Sequence, residues 1–157
     1  MSINSKQISL LAAFAAEQVE YAVMGGVAVN MHGYTRATNV LDVFIRPTVQ
    51  NARAAYAALL ALGVALGGFE PEDLLNDEEH LRFGPAHDHI DILASIGEMS
   101  FDQVWRNRLE VVVEGVKVAF ISKTDLIANK RQVGRLRYLA DAEELDLLPG
   151  EASETSY

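Results

Sequence analysis

The chain has 157 residues, half of them hydrophobic, and a formal net charge of −9 at neutral pH. This length suits one domain with a buried core and is too short for two ordinary domains. Such an acidic chain is not expected to bind nucleic acid or an anionic membrane through its overall field. The absence of cysteine excludes a disulfide framework, a thiol nucleophile and thiolate metal sites. No targeting segment or bilayer-spanning run is visible, so we expect a cytoplasmic protein.

The first third of the chain alternates predicted helices and strands. Apolar residues at helical spacing predict a helix over residues 5–18. The apolar run Tyr21–Met24 stops at a glycine pair and predicts a buried strand. The elements that follow are a helix over Val27–His32, a strand over Leu41–Ile45 and an alanine-rich helix from its N-cap Thr48 to Leu62.

The rest of the chain adds strands and then helices. Residues 70–79 contain six acidic side chains and predict a solvated surface segment. The next predicted elements are strands over His80–Phe83 and His89–Leu93, a short helix over Phe101–Trp105, a hairpin around Glu114-Gly115, a helix capped by Ser122 that runs through Lys130, and a last helix over Leu136–Leu147.

This order predicts an α/β (α+β) fold, with a mixed sheet flanked by helices and a helical C-terminus. We expect the helices to pack on one side of the sheet. Residues 1–148 are expected to form a single domain, and residues 149–157 a flexible polar tail.

A glycine pair, Gly25-Gly26, separates the first predicted strand from the helix after it. Glycines at this position let a phosphate approach the backbone at a helix N-terminus. The alternative is a tight turn that requires a positive φ angle.

Two apolar strands each carry one acidic residue, Asp42 and Asp91. Because successive strand side chains alternate between faces, both carboxylates can lie on one face of the sheet. A buried aspartate needs a partner, and a metal ion or an arginine would serve. A Mg²⁺ shared by both carboxylates is one possibility, because this ion prefers oxygen ligands. The alternative is an exposed strand face near the end of the sheet.

Two histidines, His87 and His89, come just before Asp91 at a spacing that is possible for metal ligands. With Asp91 they would suit a transition-metal hydrolase acting on a phosphate or an ester. The alternative is a polar loop that leads into a strand.

The basic residues concentrate in the C-terminal half, where eight of the thirteen lie between Arg106 and Arg137. A local anion site is therefore compatible with the negative net charge. Four of these residues surround the helix-breaking Gly134 and are the strongest candidates: Lys130, Arg131, Arg135 and Arg137.

Several of these segments combine into one motif. They are Val23 to Val29 with the glycine pair, His32-Gly33-Tyr34, Arg36 to Asn39, Leu41 to Ile45, Ile90 to Leu93, Ile121 to Lys130, and Gly134-Arg135 through Asp141. Over residues 15–147 the chain resembles the minimal nucleotidyltransferases, which are polymerase-beta-like proteins. Within them it most resembles the nucleotidyltransferase-like bacterial toxins, including the abortive-infection toxins.

The resemblance implies a nucleotidyltransferase-type fold and a nucleoside triphosphate bound with Mg²⁺ (or Mn²⁺). It implies transfer of a nucleotide to an RNA or protein acceptor by a two-metal mechanism, and a cognate antitoxin as a partner. The catalytic and metal-binding residues implied are Asp42 and Asp91. The implied nucleotide-binding residues are Gly25, Gly26, Arg36, Thr38, Lys130 and Arg135.

The chain departs from the family pattern at two positions where the family has an acid. Val40 stands where the first carboxylate of the metal-binding pair belongs, and Tyr138 replaces an acid near the last helix. A lost metal ligand removes transition-state stabilisation of several kcal/mol, on the order of other electrostatic groups that act directly on the reacting atoms. An active transferase, a catalytically impaired nucleotide-binding relative and the histidine-based hydrolase therefore remain as alternatives.

Overall fold

A six-stranded mixed sheet forms the centre of the protein. The computed structural model describes residues 3–77 and 80–149. The strands are β1 Tyr21–Met24, β2 Leu41–Ile45, β3 Leu81–Phe83, β4 Ile90–Leu93, β5 Leu109–Val113 and β6 Val116–Phe120. The helices are α1 Ser5–Ala16, α2 Gly25–Met31, α3 Val49–Ala61, α4 Phe101–Asn107, α5 Lys123–Val133 and α6 Leu136–Leu147, with a short 3-10 helix over Pro71–Leu75.

The strand order across the sheet is β3-β4-β2-β1-β6-β5. Strand β1 runs antiparallel to β2 and parallel to β6, while β2 and β4 run parallel to each other. The two edges are antiparallel pairs, β3 with β4 and the predicted hairpin of β5 with β6. The mixed α/β class predicted from the sequence is confirmed.

Helix ends follow local side-chain chemistry. The Thr48 hydroxyl accepts the backbone N–H of Asn51 at 3.2 Å, and Ser122 accepts that of Asp125 at 3.1 Å. Both residues satisfy donors that a helix start leaves without a partner, as predicted. Helix α5 ends at Gly134, whose φ of 77° is the left-handed conformation that favours glycine.

Helices cover both faces of the sheet, so the expectation of helices on one side was wrong. Tyr21 and Phe44 lie on opposite faces, because Tyr21 pairs with Ile45 in the register of β1 and β2. The ring of Phe14 in α1 contacts Tyr21 with centroids 5.6 Å apart, whereas Phe101 of α4 contacts Phe44 at 5.1 Å. Strand β1 is buried along its whole length, and a strand apolar on both sides needs cover on both sides.

Two further segments differ from expectation. The acidic segment is not only a solvated surface, because Pro71–Leu75 forms the 3-10 helix and Leu74 is buried. Residues 78–79 of that segment, and residues 150–157 of the predicted tail, lie outside the described part of the chain. None of the helices within residues 3–77 and 80–149 combines the length and apolar character that a membrane crossing requires.

Candidate functional site

The sheet topology brings the acidic strand positions to the end of the sheet where β1 stops. Because β1 and β2 are antiparallel, Met24 at the end of β1 pairs with Asp42 near the start of β2. Because β2 and β4 are parallel, Asp42 pairs in turn with Asp91. Paired residues lie on the same face of a sheet. The two aspartates are therefore side by side on one face, next to the turn that begins at Gly25.

The Asp42 carboxyl group lies in a setting that disfavours its charge. Burial raises the pKa of Asp42 to about 6, and the negative charge of Asp91 acts in the same direction. Electrostatic interactions with His89 and Lys130 act in the opposite direction and lower the pKa of Asp42. Two adjacent carboxylates repel each other, which is the physical condition that favours a cation or a shared proton between them.

The Asp91 carboxylate is already neutralised by an arginine. Asp91 is 5% exposed, and both of its oxygens accept hydrogen bonds from Arg82, from Nε at 2.8 Å and from Nη2 at 3.1 Å. Arg82 faces Asp91 because the two are register partners in β3 and β4. The Nε2 atoms of His89 and His80 lie 3.5 and 3.7 Å from the same carboxylate.

Sequence reasoning did not identify Arg82 or the proximity of His80. A signal for Arg82 was present, since it alternates with Leu81 and Phe83 in a short strand just before Asp91. That pattern places Arg82 on the face opposite its apolar neighbours. The strand pairing that aims it at Asp91 is not visible in the sequence.

Gly25 and Gly26 allow other parts of the chain to approach closely. Gly25 has a φ of 61°, and a Cβ atom there would lie 2.1 Å from Oδ2 of Asp42. A Cβ atom on Gly26 would lie 2.9 Å from Oγ1 of Thr38. Helix α2 starts at Gly25 itself, two residues earlier than predicted. The positive φ at Gly25 agrees with the tight-turn alternative.

A buried ion network joins the loop before β2 to α5 and α6. Lys130 is 2% exposed and donates to Oδ2 of Asp141 at 3.0 Å. Arg36 donates to both oxygens of Asp141, each at 3.0 Å. Burial lowers the pKa of Lys130, while the ion pair with Asp141 opposes that shift. Two cations thus share one carboxylate, which leaves this cluster with net positive charge.

Tyr138 of α6 contacts two basic side chains. The Lys130 ammonium lies 4.2 Å from the centre of the Tyr138 ring, and the Arg135 guanidinium lies 5.5 Å from it. Both distances are within the range of cation–π attraction. The ring therefore lies within cation–π range of two positive charges.

These groups line an open cleft of about 270 Å³ between the sheet end and α5 and α6. Four of the predicted site residues lie in its wall: Gly25, Asp42, Lys130 and Arg135. The other lining residues are Met24, Leu93, Ser95, Ile96, Gly97, Leu126, Asn129, Val133 and Tyr138. This volume is close to about 300 Å³, which is the lower end of the range for pockets that bind small molecules.

The remaining predicted site residues lie behind the cleft wall. Asp91 is held by Arg82, and Arg36 is held by Asp141. Thr38 lies within 3.4 Å of the Val40 backbone and against Gly26. Gly26 is buried within α2. These four residues shape or neutralise the site and are absent from the cleft lining.

The donor set does not fit a two-metal centre. No group of three or more histidine, aspartate or glutamate side chains suitable for a metal occurs in the part of the chain that the structure describes. This includes the predicted set of His87, His89 and Asp91, since His87 is exposed and His89 Nδ1 is hydrogen-bonded to the Ala86 carbonyl at 2.9 Å. Asp91 is bound to Arg82 and Val40 has no ligand atom, so Asp42 is the carboxylate that faces the cleft.

Neither a protein-family model nor a curated protein sequence matches this chain. Its structure is similar to the crystal structure of the lincosamide antibiotic adenylyltransferase LnuA with lincomycin bound. The two share a TM-score of 0.60 and 15% sequence identity, over 95% of this chain and 100% of that one. At this identity the similarity concerns the fold, and it confirms the nucleotidyltransferase-type fold that the sequence predicted.

Proposed function

We propose that this protein binds a nucleoside triphosphate in the cleft between the sheet end and helices α5 and α6. The observation that carries the proposal is the meeting of Gly25 and Asp42 from the sheet with Lys130 and Arg135 from the helices, in one cleft of a nucleotidyltransferase-type fold. The toxin-like sequence motif supports the same ligand class. The similarity to an antibiotic adenylyltransferase supports nucleotidyl transfer as the reaction of the fold.

The charge distribution favours one orientation of the triphosphate. The cluster of Lys130, Arg36 and Asp141 carries net positive charge, and Arg135 adds another at the cleft rim. Phosphate oxygens are stabilised by such cations through charge-assisted hydrogen bonds. We therefore place the phosphates along α5 and the start of α6. The apolar lining formed by Ile96, Leu126 and Val133 is suited to a nucleobase or to part of an acceptor.

A Mg²⁺ (or Mn²⁺) ion belongs to this proposal as a companion of the triphosphate. Asp42 is the protein group that would hold it, because its carboxyl group faces the cleft. When bound, the ion would supply positive charge at the phosphates. Asp91 is proposed as a site residue that acts beside Asp42 rather than in the cleft wall.

We propose an RNA or protein acceptor on the basis of the toxin resemblance, whereas the structural neighbour is an enzyme for lincosamide antibiotics. A cognate antitoxin, a cytoplasmic location and a single domain over residues 1–148 rest on the sequence alone.

A second candidate is a nucleotide-binding relative with impaired catalysis. Val40 in place of a carboxylate and the Arg82–Asp91 ion pair favour it, because both reduce the number of anionic ligands available to metal ions. This candidate predicts nucleotide binding without turnover.

Calorimetric titration with the four ribonucleoside triphosphates and Mg²⁺ tests the binding proposal. We expect saturable binding of at least one nucleotide, weakened about tenfold or more by Lys130→Ala or Arg135→Ala, since each removes a charge-assisted contact. Arg131→Ala is the matched control, because Arg131 also lies in α5 but pairs with Asp146 at the surface. Absence of binding to any nucleotide contradicts the proposal. Incubation with α-labelled nucleotide and total cellular RNA or protein then separates the active enzyme from the second candidate.

A further inference from the structure

An asparagine of α5 brings an uncharged polar group into the apolar part of the cleft. Asn129 lines the cleft although it is only 7% exposed. It lies three residues after Leu126 and four before Val133, so the three side chains share one face of the helix. A polar group buried between apolar neighbours is costly unless it is hydrogen-bonded. The partners of this amide therefore indicate what the cleft is built to bind.

One end of the Asn129 amide is held by the loop between β4 and α4. Its Nδ2 atom donates to the backbone carbonyl of Ile96 at 2.6 Å. Turning the amide over would bring Oδ1 against that carbonyl oxygen, and two acceptors do not form a hydrogen bond. The contact therefore fixes which end of the amide faces the loop, and Oδ1 lies at the other end.

The Oδ1 atom of Asn129 receives no hydrogen bond from residues 3–77 and 80–149. It is also not one of the fully enclosed side-chain atoms in that part of the chain, so it stays accessible. Because Asn129 borders the cleft, a ligand in the cleft can reach this oxygen. A carboxamide oxygen accepts hydrogen bonds and does not donate them. The ligand group that fits here is therefore an N–H or O–H donor.

We propose that Asn129 determines base specificity by accepting a hydrogen bond from the exocyclic amino group of a nucleobase. This inference rests on the proposed binding of a nucleoside triphosphate in the cleft. A flat base suits the apolar surface of Ile96, Leu126 and Val133, and the amine is a donor at its edge. Adenine, cytosine and guanine each carry such an amine, whereas uracil and hypoxanthine have none.

A base without the amine is rejected for a physical reason. When such a base covers Asn129, it removes water from Oδ1 and supplies no donor in return. An acceptor that loses its water without gaining a hydrogen bond weakens binding by about tenfold or more. The preference therefore comes from exclusion of the wrong base as much as from attraction of the right one.

Calorimetric titration with matched nucleotides tests this role in the unmodified protein. The pairs are CTP with UTP, ATP with inosine triphosphate, and GTP with inosine triphosphate. In each pair the second base lacks the exocyclic amine of the first. At least one pair should show about tenfold or more tighter binding of the amine-bearing nucleotide. The pair that does so identifies the amine that Asn129 contacts.

Asn129→Leu should remove this preference, because leucine is similar in size and has no acceptor. The preferred nucleotide should lose about tenfold or more in affinity, while its partner without the amine changes by less than about twofold. Gln132→Ala is the matched control, because Gln132 holds the same loop without lining the cleft. It accepts the Glu98 backbone N–H at 3.3 Å. Gln132→Ala should keep the preference, which separates contact with the base from positioning of the loop.

Two results would overturn the inference. One is equal affinity within all three nucleotide pairs of the unmodified protein, a comparison that needs no variant to fold. The other is a folded Asn129→Leu variant that keeps the preference, or that weakens every nucleotide by the same factor, as contact with the ribose would. Either result leaves the proposed function in place if Lys130→Ala still weakens nucleotide binding. Absence of binding to any nucleotide contradicts the proposed function and this inference together.

Discussion

Gly25 occupies a position where a side chain would collide with the candidate site itself. Its φ of 61° is one constraint, and the Asp42 Oδ2 atom, which would lie 2.1 Å from a Cβ at this position, is another. The positive φ angle alone would favour glycine at any left-handed turn, because glycine has no Cβ atom. The second arises because the Asp42 carboxylate lies against the backbone of the turn.

We expect Gly25→Ala to destabilise the protein by about 2–4 kcal/mol, because left-handed strain and displacement of Asp42 add together. Urea unfolding measures the change. Gly67→Ala is the control, since Gly67 has a similar φ of 54° with no atom within 4 Å of the added Cβ. Equal losses in the two variants would show that the close approach to Asp42 carries no cost.

Val40 is half-buried at the strand face that carries Asp42. We expect Val40→Asp to bind Mn²⁺ more tightly, because a divalent ion between two carboxylates offsets their repulsion. Calorimetry together with a thermal melt measures the effect. Val112→Asp, at an exposed position of the edge strand β5, is the control for adding one acid. A lower melting temperature without recovery by Mn²⁺ would show that position 40 has become part of the apolar packing.

At the level of elements, one carboxylate connects three parts of the chain. Asp141 of α6 accepts from Lys130 of α5 and from Arg36 of the loop before β2. Helices α5 and α6 contact each other, and their facing polar groups are buried. The network therefore fixes the wall of the cleft opposite Asp42.

Asp141→Ala should cost about 3–5 kcal/mol of stability, because it leaves two largely buried cations without their anion. The free energy of unfolding in urea checks this value. Asp146→Ala is the matched control on the same helix, since Asp146 forms an exposed ion pair with Arg131 and should change stability by less than about 1 kcal/mol. A similar small effect of Asp141→Ala would mean that the network does not hold α5 to α6.

Tyr21 links α1, β1 and β6. Its ring contacts Phe14, and its hydroxyl oxygen accepts the Ala119 N–H at 3.3 Å. Burial raises the pKa of Tyr21 to about 12. The phenol of the unfolded chain ionises near pH 10, about two units earlier, so stability falls as the pH rises from about 10 to 12.

We expect the unfolding free energy of the unmodified protein to lose about 2–3 kcal/mol more than that of Tyr21→Phe between about pH 9.5 and pH 12, at about 1.4 kcal/mol per unit. Below about pH 9.5 the difference between the two proteins should be constant, because the phenol is neutral in both states. Chemical denaturation across this range tests the sign, and parallel profiles over the whole range would contradict it.

At the level of the whole molecule, an acidic net charge coexists with two basic side chains that line one cleft. The overall charge of −9 argues against a broad nucleic-acid surface. The cleft instead concentrates Lys130 and Arg135, and Lys130 shares the Asp141 carboxylate with Arg36, so that this cluster carries net positive charge. Such an arrangement suits a small anionic ligand.

Local sequence patterns determined the mixed fold class, most of the helices and strands, and four of the residues in the cleft wall. Alternation predicted strands around Asp42 and Asp91, and Thr48 and Ser122 marked helix starts through short-range hydrogen bonds. These features depend on residues that are close together in the sequence, so they can be predicted from the sequence alone.

Only the tertiary structure decided which charged groups meet. Arg82 is nine residues from Asp91, while Arg36 and Lys130 are 105 and 11 residues from Asp141. Strand order and helix packing bring these pairs together, and no periodicity in the sequence encodes that order. The same reason explains the two covered faces of the sheet and the unequal state of the two aspartates. A carboxylate's readiness to bind a metal depends on the cation that already faces it, which is a property of the folded arrangement.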